Sequence, residues 1–157
     1  MALIFRRGAD AMTALRVVSG AVLVVRPSLA VLLAGVVTDW IDGPLARRAG
    51  PTDRGARFDL EADSILTLGA SIAAVRAGGS RVLLVAPALR YAVAVLGRRP
   101  LDRDGVRWDR VTGVAQMVVF AVALAPRAVR PLRALGVPVS AARCAALLVQ
   151  AQGRAVD

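Results

Sequence analysis

Six apolar runs, separated by short arginine-rich joints, cover most of the chain: 11–25, 28–46, 57–77, 80–97, 110–126 and 131–151. A helix needs about 20 mainly apolar residues to cross the hydrocarbon core of a bilayer, and all but the first run approach that length. The pattern predicts an all-α, polytopic membrane protein with six transmembrane helices, organised as a single domain over residues 1–157. Little polar sequence is left between the runs to coat a soluble globule. The opening stretch MALIFRR is not expected to be a signal peptide, because Arg6 and Arg7 follow only a few apolar residues and no cleavage site is evident.

Composition sharpens this picture. The chain is 57% hydrophobic with a mean hydropathy of +0.60, above the usual range of soluble domains. It carries 21 basic residues against 11 acidic ones. Every basic residue is arginine, a usage that reads as a GC-rich genome rather than as function. Aromatic residues make up 4%, and the arginines sit between apolar runs instead of on one solvated face, so no nucleic-acid partner is expected. Histidine is absent. That excludes a Ser-His-Asp triad, a histidine nucleophile and histidine metal ligands. Any metal site must be oxygen-rich and suited to hard cations such as Mg²⁺ or Mn²⁺. The single cysteine, Cys144, cannot form an intrachain disulfide and reads as a small buried residue.

Arginine placement sets an orientation. With the N-terminus inside, about twice as many arginines fall on the cytoplasmic side as on the outer side, the sign of the positive-inside rule. Residues 47–56 then face the cytoplasm, and with them the most acidic stretch of the chain, DWIDGPLARRAGPTDRGARFDLEAD, at 39–63.

Spacing gives that stretch its chemistry. Asp39 and Asp42 are three residues apart and Ala46 is one turn further, so the three share a helix face. Asp59 and Asp63 are four apart, with Gly55 one turn before, again on one face. Gly50 and Pro51 in the short joint are turn formers. Two helices joined so closely should pack antiparallel and bring four carboxylates into one pocket near the membrane surface. Like charges at such distances raise each other's pKa, and carboxylates are costly at membrane depth. Two divalent cations would balance four ionised aspartates, and paired metals are the usual clamp for displacement at phosphorus. Gly43, Ala46 and Gly55 are small where a ligand would lie, and the Arg47 fork can pair with phosphate oxygens. Asp53 reads as a turn residue, and Glu61 as an outward-facing side chain paired with an arginine. The residues alone point to a dinuclear-metal phosphotransfer site.

The stretch D39-x2-D42-G43-x2-A46-R47-x7-G55-x3-D59-x3-D63 resembles the signature of the CDP-alcohol phosphatidyltransferase family. At roughly 6% usage per residue type, a chance match at one start is on the order of 10⁻⁹ to 10⁻¹⁰. Two weaker similarities extend it: Thr13-x2-Arg16 in the first run, and Arg110 with Gln116-Met117 in the fifth, where Thr112 and Gly113 stand in place of a second basic residue and a threonine. The resemblance implies a six-helix membrane fold, homodimeric, with its active site at the cytoplasmic face of what is expected to be a bacterial plasma membrane. The expected reaction is transfer of a phosphatidyl group from CDP-diacylglycerol, or a related CDP-alcohol, to a small acceptor alcohol, with release of CMP, in phospholipid biosynthesis. Carried over by position, Asp39, Asp42, Asp59 and Asp63 would hold two divalent cations. Asp63 would also take the proton of the acceptor hydroxyl. Gly43, Ala46, Arg47 and Gly55 would line the CDP pocket. The implied mechanism is direct in-line attack without a covalent enzyme intermediate.

Three departures from the family pattern concern the joint and its edges. Seven residues instead of eight separate Arg47 from Gly55, Pro44 predicts a kink after Gly43, and D-L-E-A-D replaces D-P-L-A-D. The metal and base positions are intact. Arg90 inside the fourth run, with Arg98, Arg99, Arg107 and Arg110 after it, would either bind a phosphorylated acceptor such as glycerol 3-phosphate or inositol phosphate, or anchor the chain to anionic lipid. Arg16 and Arg90 are read as functional or helix-pairing, because a charge within a span needs a reason. Two other readings are a catalytically inactive scaffold of the same fold, which predicts loss of an aspartate, and a transporter using intramembrane acids, which predicts acids spread across the bilayer and inverted repeats.

Overall fold

A computed structural model describes the backbone over residues 2–49, 53–96 and 103–153, and side chains mainly within 11–38, 58–92 and 111–149. The described residues form helices joined by short turns, without a strand among them. Six α-helices run α1 Ala2–Val25, α2 Leu29–Ala49, α3 Asp53–Arg76, α4 Val85–Leu96, α5 Arg103–Leu124 and α6 Gly136–Gly153, with 3₁₀ segments at Arg81–Leu84 and Arg127–Leu135. Each predicted run holds one α-helix. The joint at 50–52, with Gly50 and Pro51, lies outside the described residues, while α2 continues through Pro44 to Ala49.

Helix ends follow local chemistry. Proline disfavours helical backbone in the residue before it, so α1 stops at Val25 ahead of Pro27 and α5 stops at Leu124 ahead of Pro126. Ser28 then caps α2, its Oγ accepting from the backbone N–H of Val31 at 3.5 Å. Both α4 and α6 start later than their apolar runs. Pro87 and Pro138 lie in their first turns, where a missing N–H costs nothing, and 3₁₀ turns fill the sequence before them. Conversely α1 and α5 begin well before their apolar runs, because a helix can extend beyond the segment that is apolar enough to cross a membrane.

The end of α3 is a Schellman turn. The N–H of Gly79 donates to the Ala74 carbonyl and that of Gly78 to the Val75 carbonyl, both at 2.9 Å. Gly78 has φ +96°, a left-handed conformation that costs an L-residue about 1–2 kcal/mol. Gly78→Ala is therefore expected to lower stability by about 1 kcal/mol, checked by thermal unfolding in detergent.

The helices form two compact units, Met1–Ala70 and Ser71–Asp157. In the first, α1 packs on α2, and α1 meets α3 through glycine. A Cβ on Gly20 would lie 2.7 Å from the Ile65 carbonyl oxygen, and one on Gly69 would strike the Gly20 carbonyl. On α2, Gly35 makes room for the Leu66 methyls. Such small-residue seams let helix backbones approach closely, as membrane helices do. In the second unit α6 packs on α4 and α5 around Leu83, Val119, Phe120 and Leu147. The Arg133 guanidinium donates to the Ala123 carbonyl at 2.6 Å, satisfying a backbone oxygen at the end of α5.

Alongside an apolar core at Leu23, Leu32, Ala62 and Leu66, large apolar side chains face outward and several polar ones face inward. Along α1, Leu15, Val18, Val22 and Val25 are exposed, whereas Thr13, Arg16 and Ser19 are buried. In α2 and α3, Leu33, Val37, Ile65 and Leu68 are exposed, and Thr38, Ser64 and Thr67 are buried. The buried hydroxyls are satisfied locally: Thr38 donates to the Gly35 carbonyl at 2.7 Å, Ser64 to Leu60 at 2.8 Å and Thr67 to Asp63 at 2.6 Å. An exterior rich in large apolar side chains, over an interior that mixes apolar and polar ones, suits lipid as the surrounding solvent. Among the described residues, Pro131–Val149, with a mean hydropathy of 1.5, is long and apolar enough to cross a bilayer; Ala11–Val25, Leu29–Thr38 and Val111–Leu124 are apolar but shorter.

Candidate active site

In the first unit the carboxylates of α3 converge on one cation. Arg16 Nη1 donates to Asp59 Oδ1 at 2.5 Å and to Asp63 Oδ1 at 3.1 Å. The Arg16 side chain is 0% exposed, while those of Asp59 and Asp63 are 50% and 30% exposed. The four-residue spacing of the aspartates thus does what it predicts: both reach one point from one face of α3. The buried guanidinium holds both carboxylates from the protein side, and their exposed parts stay open to an approaching ligand. Thr13 lies buried one turn before Arg16 on the same helix.

The remaining signature residues are placed by backbone alone. Asp39, Asp42, Gly43, Ala46 and Arg47 lie on α2, and Gly55 lies on α3; their side chains are outside the described residues. Asp53 is the first residue of α3, and Glu61 is exposed on it, as an outward-facing position requires. Arg90 is half-buried on α4. Arg98 and Arg99 fall outside the described residues, as do the side chains of Arg107 and Arg110 on α5.

Two features escaped the sequence reading. One is the identity of the partner of Arg16, which lies more than forty positions away; only the charge within an apolar run signalled that a partner existed. The other is Arg143 on α6, 1% exposed, whose Nη1 donates to the Thr112 hydroxyl of α5. Gly113 leaves space beside it, since a Cβ there would sit 3.7 Å from Arg143 Nη2. Thr112 and Gly113, which depart from the family pattern, therefore accommodate an arginine from the neighbouring helix. Gln116, one turn on, is buried, and its Nε2 has no hydrogen-bond partner among the described residues.

The donor set can be tested against the expected cations. Asp59 and Asp63 offer oxygen atoms only, matching hard divalent ions. Among the described residues no group of three or more potential ligands occurs, and the side chains of Asp39 and Asp42 are not among them.

Helices that expose apolar side chains and carry a carboxylate pair on a buried arginine suit a helical membrane protein with a polar site among its helices. The family model for CDP-alcohol phosphatidyltransferase matches residues 8–149, and the chain belongs to that family. Its members are membrane-integral phosphotransferases of phospholipid biosynthesis that transfer a phosphatidyl group from a CDP-alcohol and generally depend on a divalent cation. No curated protein and no solved structure matches the chain.

Proposed function

We propose that the protein transfers the phosphatidyl group of CDP-diacylglycerol to the hydroxyl of a small, phosphorylated alcohol at the cytoplasmic face of the membrane, releasing CMP. The observation that carries this reading is the grip of one buried guanidinium on Asp59 and Asp63, which fixes two of the four signature carboxylates side by side on α3. Asp39 and Asp42 on α2 would complete the ligand set. Divalent cations bound there would neutralise the carboxylates and draw electron density from the donor diphosphate.

The chain's own residues do the rest. Asp63 accepts the proton of the acceptor hydroxyl on a carboxylate oxygen. The hydroxyl oxygen attacks the lipid-side phosphorus, the bond from that phosphorus to the bridging oxygen breaks, and CMP departs with the bonding electrons. Gly43, Ala46 and Gly55 leave room for the nucleotide, and Arg47 pairs with phosphate oxygens. Arg90 and the arginines of 98–110 either bind a phosphorylated acceptor or anchor the chain to anionic lipid. All six helices cross the membrane in this reading, residues 1–157 act as one domain, as the match across both compact units supports, and the protein is a homodimer.

Membranes containing the protein should release radiolabelled CMP from CDP-diacylglycerol when glycerol 3-phosphate or inositol phosphate is supplied. EDTA should abolish release, and added Mg²⁺ or Mn²⁺ should restore it. Release that ignores EDTA, or that requires no acceptor hydroxyl, rejects the assignment. The acceptor giving the highest kcat/KM identifies the natural class.

A further inference from the structure

We propose that Arg16 is a positioning residue for the cation site: it holds Asp59 and Asp63 in the rotamers that bind the divalent ion, and so sets the affinity for that ion. The inference rests on the reading above that these two aspartates are metal ligands.

Three observations carry it. First, a single nitrogen, Arg16 Nη1, contacts Oδ1 of both carboxylates. One group on α1 therefore fixes two groups on α3 relative to each other. Second, Arg16 is completely buried whereas the carboxylates are 50% and 30% exposed. It lies behind them, not across the face that a ligand would enter. Third, the distance between the two helices is fixed beside this contact. Gly20, one turn after Arg16, sits against the Ile65 backbone, and Gly69 sits against Gly20. Backbone touches backbone there, so the guanidinium cannot drift away from the carboxylates without parting the helices.

Without that contact, two carboxylates one turn apart repel each other and swing into their exposed volume. A cation would then have to gather them as well as bind them. The guanidinium charge itself opposes a cation; on this proposal, presetting two ligands gains more than the repulsion costs. Residues that orient metal ligands from behind typically change affinity by about 10- to 100-fold when removed.

The experiment is a Mn²⁺ titration of purified full-length protein in detergent, following free Mn²⁺ by electron paramagnetic resonance. Arg16→Gln should raise the Mn²⁺ dissociation constant by about 10- to 100-fold. Arg16→Lys, which keeps the charge without the planar fork, should fall between it and the wild type. Gly78→Ala serves as a control for stability alone, since it strains a turn outside the site; it should lower the melting temperature and leave Mn²⁺ affinity unchanged. An unchanged dissociation constant in both Arg16 variants overturns the proposal, and so does a tighter one, which would make Arg16 a competing counter-ion. If Arg16→Gln does not fold, Arg16→Lys decides by the same criterion. Failure of the wild type to bind Mn²⁺ overturns the metal reading itself and this inference with it. Binding by the wild type that Asp59→Asn weakens, with no change on substituting Arg16, overturns the inference alone.

Discussion

Asp63→Asn is expected to lower turnover by roughly 10²–10⁴-fold while the protein stays folded and membrane-inserted. Asparagine keeps the size of the side chain and one oxygen, so Arg16 Nη1 retains an acceptor where it now finds Oδ1 at 3.1 Å. The second acceptor, Asp59 Oδ1 at 2.5 Å, is untouched. Alanine would be a poorer test, because it leaves a buried guanidinium with one contact fewer, and a buried charge that loses its partner destabilises strongly. What asparagine lacks is a carboxylate able to take the acceptor proton. The measurement is CMP release at saturating donor, acceptor and Mg²⁺, beside the melting temperature of the same preparation. Asp59→Asn sharpens the comparison. If Asp59 only binds metal, raised Mg²⁺ should recover much of its activity, whereas Asp63→Asn should stay slow at any Mg²⁺ concentration. Equal recovery of the two variants would remove the base role from Asp63. Turnover of Asp63→Asn within about tenfold of the wild type would do the same.

How far the sequence carried depended on the range of the interaction. Helix positions were legible from the apolar runs, whereas the ends are set by residues the runs do not reveal: Pro27 and Pro126 lie just past α1 and α5, and Gly78 turns the chain after α3. Apolar runs located the membrane-facing part of each helix but not its ends, which is why α1 begins at Ala2 and not near 11. The pairing of Asp59 with Asp63 was legible because helical spacing alone puts residues four apart on one face. Arg16 was legible only as an anomaly, and Arg143 was not singled out at all. A buried arginine in an apolar run demands a partner, but Asp59, Asp63 and Thr112 become its neighbours through helix packing. The packing itself depends on where glycine permits backbone contact, and Gly20 and Gly69 look no different in sequence from Gly113, which lines a looser contact.

That contrast makes the last prediction, in which one substitution has opposite outcomes at two helical glycines. Alanine is favoured over glycine inside a helix by about 1 kcal/mol, so Gly→Ala should stabilise wherever space allows. At Gly113 space does allow. The new Cβ would meet the Arg143 guanidinium no closer than 3.7 Å, an ordinary contact with a side chain. At Gly69 the new Cβ would press on the carbonyl and Cα of Gly20. Those atoms belong to the backbone of α1 and move only if the whole helix moves. Overpacking of this kind costs about 1–3 kcal/mol even where side chains can adjust, and here they cannot. Gly113→Ala should therefore hold or raise the melting temperature in detergent, while Gly69→Ala should lower it by several degrees and Gly69→Val should give no folded protein. The damage at Gly69 should also reach the site. Parting α1 from α3 pulls Arg16 away from Asp59 and Asp63, so the folded fraction of Gly69→Ala should need more Mg²⁺ for half-maximal CMP release than Gly113→Ala does. Equal melting temperatures for the two alanine variants would show that the close seam between α1 and α3 does not exist in the membrane.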